Sequence, residues 1–351
     1  MKLSTQCLLL IGLFFAVSFS VKAAKVDNLY QTDVATTATN WQQLALEQVL
    51  VRVSGKADIT ENLAIKAELE LKQASAYIKQ FTAVRENGED ITRVLLDSAR
   101  VNQLLQQNNI AVWGELRPDT LIWLVQQEAS ERRFIRNADN GLLDHLKFAF
   151  NQAALPYLLP LYDMDDLTQI SESDVWAGFW QQINQASARY NTDVIIAATI
   201  DNVTAGNNLL WRLTWQRQHE GRIIREQVTA EEEATLMQSF ARSLAEHLAE
   251  QYASVLSVQS TNNVIIEVAN LTSLTDLVTV QQLLQQLVGV TQVTITSFSD
   301  DKARYSLQTA IASQGLLNAL QFNNQFKLQT TELAIDSRAM PALATFRYVR
   351  P

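Results

Sequence analysis

Three aspartates lie close together directly after an apolar run. Asp163, Asp165 and Asp166 follow residues 155–162, whose composition is that of a buried strand. Open α/β sheets bind ligands in the loops beyond their strand ends, and carboxylates supply the oxygen ligands that Mg²⁺ and Ca²⁺ prefer. The cluster is therefore a candidate metal site. The competing interpretation, which we favour, is structural, because aspartate is common in turns and at helix starts.

The second candidate site is an arginine between two tryptophans. Trp113 and Trp123 flank Arg117, and Pro118 disfavours a helical conformation for the residue before it. On an exposed segment, such a group would form a surface for an acidic or peptide partner. The favoured alternative is a joint between two domains, in which Arg117 pairs with a carboxylate such as those of residues 163–166.

Motifs of the common catalytic classes are absent from the sequence. It contains no serine elbow, zinc-binding helix, phosphate loop or dinucleotide fingerprint. His145, His219 and His247 have no partner at ligand spacing, which favours surface histidines. The only cysteine is Cys7, so the chain beyond residue 23 has neither a disulfide nor a thiol nucleophile. We expect no cofactor, and a binding protein more than an enzyme.

The first 23 residues have the pattern of a signal peptide. Lys2 gives the positive start, residues 8–19 form an apolar run, and Val21 and Ala23 are small residues at the positions that a signal peptidase reads. The apolar run is too short to span a bilayer as a helix. We therefore predict cleavage after Ala23 and export to the periplasm, with no transmembrane segment in the mature chain.

Composition limits the class of protein. Apolar residues make up 47% of the chain, which is ample for hydrophobic cores, and 351 residues are enough for two or three compact domains. The chain has 28 basic and 37 acidic residues, a net charge of −9. This balance argues against binding to nucleic acid or to an anionic lipid surface, since both require a basic surface.

Helical and strand patterns divide the chain into three units after the leader. We predict an α+β or α/β protein with several small mixed sheets, each packed with amphipathic helices. The predicted ranges are a signal peptide at 1–23, an N-terminal α+β domain at 24–118, a central α/β domain with a three-stranded meander at 119–256, and a C-terminal domain at 262–351. The last has the order βαββαβ, which is the ferredoxin-like arrangement.

Individual elements are also predicted. A helix from Trp41 ends at Gly55, and a second helical pattern runs from residue 67 to Asn87-Gly88. The apolar run at 155–162 is assigned to a buried strand. Ser171 and Asp174 form a capping box before a helix that continues to residue 190.

Short motifs between residues 113 and 194 resemble those of an exported proteobacterial family, domain of unknown function 2066. The motifs are Trp113-Gly114, Arg117-Pro118, Leu155-Pro156, Leu159-Pro160-Leu161-Tyr162-Asp163, Val175-Trp176, Ala186-Ser187-Ala188-Arg189-Tyr190 and Thr192-Asp193-Val194. The resemblance runs from about residue 26 to residue 250. It implies secretion but no activity and no catalytic residues.

A looser resemblance concerns the architecture of residues 174–252. A helix, a three-stranded meander and a long final helix are similar to the periplasmic α/β domains of envelope assembly proteins, such as the curli-secretion lipoprotein and the amino-terminal domain of the Tol–Pal translocation protein. Architecture alone does not give function.

Together these observations favour a non-catalytic periplasmic protein that binds another cell-envelope component, either a protein or an assembling complex. The contacts we expect are the Arg117 surface and the exposed edges of the terminal sheets. A metal-assisted hydrolase built on Asp163, Asp165 and Asp166 is the alternative hypothesis. A third is a carrier of a small apolar ligand between domains. The sequence does not indicate an oligomeric state.

Overall fold

Small sheets, each covered by helices, make up an α+β fold. The computed structural model describes residues 24–70, 73–86, 88–136, 141–206, 208–256, 262–321, 323, 325–329 and 341–350. The predicted signal peptide lies outside these ranges. Among the described residues, no helix is both long enough and apolar enough to cross a membrane.

The N-terminal unit packs helices on a small antiparallel sheet of order β2-β4-β3. Its elements are β1 (Ala24–Lys25), β2 (Gln31–Ala35), α1 (Trp41–Ser54), α2 (Leu63–Glu70), β3 (Ile78–Glu86), β4 (Glu89–Leu96), α3 (Ser98–Gln107), β5 (Ala111–Val112) and β6 (Leu116–Arg117). Gly55 ends α1 in the left-handed conformation, with φ +71°, as its position in the sequence predicts.

The second predicted helix is wrong in its latter part. After α2 the chain makes a 3-10 turn over Gln73–Tyr77 and then enters β3, which pairs with β4 across a turn at Gly88. Gly88 has φ +86°. An Asn-Gly pair between β-formers is the usual signal for a two-residue hairpin turn. The hairpin signal therefore outweighs the helical spacing of the apolar residues in this segment.

The central unit is a mixed sheet with helices on both faces. Its elements are β7 (Thr120–Glu128), β8 (Glu131–Phe134), α4 (Gly141–Gln152), β9 (Tyr157–Leu158), α5 (Met164–Gln169), α6 (Glu172–Ala177), α7 (Trp180–Ser187), β10 (Val194–Ala205), β11 (Asn208–His219), β12 (Arg222–Ala230), α8 (Glu233–Tyr252) and β13 (Ser254–Val255). The sheet order is β12-β11-β10-β7-β8, with β9 beside β7. The predicted meander is thus β10-β11-β12.

Strand β7 is buried on both sides of this sheet. Ile122 and Leu124 belong to the core under α4 and α8, whereas Leu121, Trp123 and Val125 belong to the core under α6 and α7. A strand in the interior of a sheet covered on both faces has a continuous apolar sequence. The parallel pairing of β7 with β10 fits that environment.

Two element predictions in this unit need correction. The run at 155–162 contains only the two-residue strand β9, because Pro156 and Pro160 have no N–H to donate to a sheet. The predicted helix up to residue 190 is divided into α6, α7 and a 3-10 turn. Gly178, with φ +71°, separates α6 from α7. The capping box of Ser171 and Asp174 is confirmed.

The C-terminal unit contains the predicted order of elements and one further strand. Its elements are β14 (Asn262–Ala269), α9 (Leu274–Gln285), β15 (Val290–Ser299), β16 (Lys302–Thr309), α10 (Ser313–Gln321), β17 (Phe326–Gln329) and β18 (Thr345–Tyr348). The sheet order is β15-β16-β14-β18-β17. Strand β18 lies between β14 and β17 and runs parallel to β14. The sequence analysis did not predict β18.

Short pairings connect the three units. Strand β5 pairs with β13, and one apolar core includes residues of both the N-terminal and C-terminal units, among them Val112 and Ile266. Gly114 lies so close to Val288 that a Cβ there would meet Val288 Cγ2 at 2.1 Å. Contacts therefore cross the predicted domain boundaries. The boundaries themselves stay a prediction.

Candidate functional site

Arg117 is fully buried at the joint between the N-terminal and central units. Its guanidinium donates to five backbone carbonyls. Three of the bonds leave its own loop: Nη2 to Arg52 O at 2.6 Å, and Nη1 to Ala153 O and Ala154 O at 2.9 and 3.1 Å. These acceptors lie at the C-terminal ends of α1 and α4, where unpaired carbonyls and the helix dipole favour a cation.

The predicted docking surface around Arg117 is wrong, because Trp113, Arg117 and Trp123 are all buried. The guanidinium carbon lies 4.1 Å from the ring centre of Trp113 in a cation–π contact. Burial and the nearby Arg52 cation lower the pKa of Arg117 to about 9, so the group remains a cation at neutral pH. The alternative of a joint is confirmed, but its acceptors are carbonyls and not the carboxylates of residues 163–166.

Trp123 lies on the other face of the central sheet and is not part of the joint. Its indole Nε1 donates to Ser187 Oγ at 2.8 Å, and its ring packs edge-on against Tyr162 at 5.7 Å. Trp113 and Trp123 are close in sequence but belong to different apolar cores, since Trp113 precedes β7 and packs in the core under α4 and α8, whereas Trp123 on β7 packs in the core under α6 and α7.

The aspartate cluster is organised by an arginine. Arg189 donates Nη1 and Nη2 to the two carboxylate oxygens of Asp163, at 2.7 and 3.0 Å, and Nη1 also reaches Asp166 Oδ1 at 3.2 Å. Asp166 is fully buried and accepts further bonds from the Tyr190 hydroxyl and the Tyr162 N–H. Asp163 caps α5, since its side chain accepts from the N–H of Asp166.

This geometry contradicts the metal site predicted at Asp163, Asp165 and Asp166. Two of the three carboxylates already share Arg189, and Asp165 is exposed with Oδ2 3.9 Å from Arg189 Nη1. Over the ranges that the structure describes, no group of three or more His, Cys, Asp or Glu side chains is arranged to hold a metal ion. The structural interpretation of these aspartates, as a turn and a helix start, is confirmed.

The same segment presents apolar side chains to solvent. Leu161 is 69% exposed and Met164 is 73% exposed, and Leu167 lies one turn along α5 from Met164. We call Leu161, Met164 and Leu167 the apolar patch. The backbone that carries it is fixed from within by Asp166, as described above, and by a bond from Leu161 N–H to the Tyr190 hydroxyl at 2.8 Å.

Two clefts lie between elements of the N-terminal and central units. The inner cleft, of about 490 Å³, is formed by α1, α4 and α8. The outer cleft, of about 860 Å³, is formed by β2, the end of α4 and residues 154–156. Arg52, Phe148 and Gln152 line both clefts. These residues were missed by the sequence reasoning, since Arg52 and Phe148 lie within ordinary amphipathic helices.

Comparison with known proteins adds one partial match. Residues 23–114 are similar to a family described as "Domain of unknown function (DUF8605)". The match covers the N-terminal unit, under half of the chain, and carries no activity. No curated protein and no solved structure matches the chain. The resemblance to domain of unknown function 2066 stays a prediction.

Proposed function

We propose that this chain is a non-catalytic protein of the bacterial cell envelope that binds another envelope component through the apolar patch. The observation that carries the proposal is the outward presentation of Leu161 and Met164 by a backbone fixed through a buried ionic network. Apolar side chains held in place lose little conformational freedom when a partner covers them.

The periplasm is the proposed location. The leader-like pattern of residues 1–23 supports it, as does the resemblance to an exported family. Amino-terminal sequencing of the protein recovered from a periplasmic extract tests this part separately. The expected first residue is Ala24, whereas recovery of the intact leader in the cytoplasm would contradict export.

The chemistry of the patch indicates the kind of partner surface. Leu161, Met164 and Leu167 need apolar partner residues, and the exposed carboxylate of Asp165 beside them favours a basic side chain at the rim. Burying one leucine or methionine side chain contributes about 1.5–3 kcal/mol. Two such residues at the centre of an interface are enough to act as its main anchors.

Site-specific photocrosslinking in cells tests the proposal. A photoreactive amino acid is placed at Met164, and in a matched control at Leu63, which is 84% exposed on α2 of the N-terminal unit. We expect one reproducible envelope protein to be crosslinked at Met164 and not at Leu63. In the otherwise unmodified chain, Met164→Asp should lower recovery of the same protein by at least about tenfold, the effect of losing roughly 1.4 kcal/mol.

Two results would reject this function. Equal crosslinking at Met164 and Leu63 would show that the patch captures proteins non-specifically. Unchanged recovery of the partner by Met164→Asp, with the variant folded by circular dichroism, would show that the partner binds elsewhere.

A further inference from the structure

The inner cleft contains a buried arginine with unused hydrogen-bonding capacity. Arg52 is only 9% exposed, and its Nε donates to Gln152 O at 3.0 Å while Nη1 donates to Gln31 O. Its Nη2 has no acceptor among the described residues, although this atom is not sealed from solvent. Arg52 lines both clefts, and a buried guanidinium with a free N–H pair is suited to a carboxylate or another anion.

A second cation faces the same cleft. Arg242 on α8 lines it, is exposed, and has no ion-pair partner in the ranges that the structure describes. Glu47 is the one acidic side chain in the lining, so the inner cleft has two cations against one carboxylate. Asp33, which lines the outer cleft and whose charge acts on Arg52, is held by Arg93 through bonds of 2.9 and 2.8 Å. The cleft therefore has an excess of positive charge in a protein that is acidic as a whole.

The rest of the inner cleft is lined by apolar side chains interspersed with Gln48, Gln152 and Gln238. Phe148 on α4 is 54% exposed, and Leu44 and Val51 on α1 also line the cleft. A volume of about 490 Å³ falls within the roughly 300–1,000 Å³ range of sites for small molecules. The combination is a partly apolar cleft with two arginines in its lining.

We infer that the inner cleft binds an amphipathic monocarboxylate, such as a medium-chain fatty acid. The carboxylate lies between Arg52 Nη2 and the Arg242 guanidinium, and the alkyl chain lies against Phe148. This inference is independent of the apolar patch, which is formed by other elements of the central unit.

Isothermal titration calorimetry on the mature chain, residues 24–351, tests the inference with decanoate as the probe. Decan-1-ol supplies the same chain without the charge, and acetate supplies the charge without the chain. Decanoate is expected to bind with a saturable isotherm, at least about tenfold more tightly than decan-1-ol, which corresponds to one charge-assisted contact. Acetate is expected to give no measurable heat.

Variants at exposed positions separate the site from non-specific binding. Arg242→Glu should weaken decanoate binding by about tenfold or more, and Phe148→Ser by about fivefold, since one removes a cation and the other an apolar wall. Arg225→Glu is the matched control, because Arg225 is also exposed and lies on β12 outside the lining of the cleft. It should change the affinity by less than about twofold.

The pKa of the ligand's carboxyl group distinguishes binding to the arginines from non-specific apolar binding, which would not lower it. In carbon-13 spectra of carboxyl-labelled decanoate, contact with two arginines should lower the pKa of the bound carboxyl group relative to the free ligand. The inference is overturned by an unchanged ligand pKa, by equal effects of Arg242→Glu and Arg225→Glu, or by no saturable binding up to about 1 mM decanoate, the range of very weak ligands.

Discussion

Replacing Arg117 by methionine tests whether the joint between the first two units depends on one guanidinium. The change keeps an apolar side chain of similar length against Trp113 but removes all five donated bonds. It leaves the carbonyls of Arg52, Ala153 and Ala154 without this donor.

The expected loss of stability is about 4 kcal/mol. A hydrogen bond to a charged group contributes roughly 1.5–3 kcal/mol, and three of the five bonds, at 2.6, 2.9 and 3.1 Å, have good lengths. The sum is reduced because the variant no longer buries a cation and no longer places it near Arg52.

Urea unfolding followed by tryptophan fluorescence measures this loss, together with thermal unfolding. A change of about 4 kcal/mol corresponds to a melting temperature lower by roughly 8–16 °C for a unit of 150–250 residues. Arg117→Lys keeps the charge but has fewer donors without the planar fork, so it should lose about 2 kcal/mol. Arg225→Met, at an exposed position of β12, should stay within about 0.5 kcal/mol.

The ordering of these three variants decides the outcome. If Arg117→Met loses less than about 1 kcal/mol, the carbonyl contacts do not stabilise the joint and burial of the cation cancels them. If lysine is as damaging as methionine, the charge is irrelevant and only the fork geometry matters.

Three further changes test other parts of the structure by urea unfolding. Gly55→Ala should cost at least about 2 kcal/mol, because residue 55 has φ +71° and the new Cβ would lie 2.3 Å from a Cβ of α8. Gly88→Ala should cost only about 1 kcal/mol, because residue 88 has a positive φ but open space around it. Burial and the neighbouring Asp193 raise the pKa of Asp119 to about 6, so its proton stabilises the fold below pH 4 and this contribution is lost as the pH rises through 6. Asp119→Asn should therefore stabilise the fold by about 1 kcal/mol at pH 7.5, allowing for partial exposure of the side chain, and by little at pH 4. An equal gain in stability at both pH values would contradict the repulsion between the two carboxylates. Ser171→Ala should lose about 1 kcal/mol by removing the capping box at α6, and a change below about 0.3 kcal/mol would refute its contribution.

Elements with agreeing local signals were predictable from the sequence. Gly55 follows an amphipathic helix and ends it, Ser171 begins one with its capping partner, and the meander of β10, β11 and β12 shows clear alternation and turns. In these places the local preference of the chain and its tertiary environment point the same way.

The errors in the fold occurred where two local signals compete. Residues 78–86 have apolar spacing that fits a helix, but the Asn-Gly pair after them specifies a hairpin, and the hairpin forms. Residues 155–162 are apolar enough for a strand, but Pro156 and Pro160 remove two donors, and only a two-residue strand remains. A residue that removes or redirects backbone hydrogen bonds should therefore outweigh hydrophobic spacing.

The candidate sites were harder to predict, because partners of a side chain are set by tertiary contacts. The sequence indicated that Arg117 needs a partner, and a nearby acidic cluster was the natural candidate. The structure instead pairs Arg189 with Asp163 and Asp166, and gives Arg117 the carbonyls at two helix ends. Helix C-termini form a partially negative site without any acidic residue, so no pattern of charged residues reveals them.

The two arginines of the joint connect the stability of the fold to the shape of the inner cleft. Arg117 binds the last turn of α1 through Arg52 O and the end of α4 through Ala153 O and Ala154 O. The flanks of the same two helices form the walls of the cleft, with Arg52 between them. Because a single planar cation fixes both helix ends at once, α1 and α4 cannot separate without breaking several of its bonds. Arg117 therefore fixes the two helix ends beside the cleft through its bonds to their backbone carbonyls, and the Arg52 side chain lines that cleft.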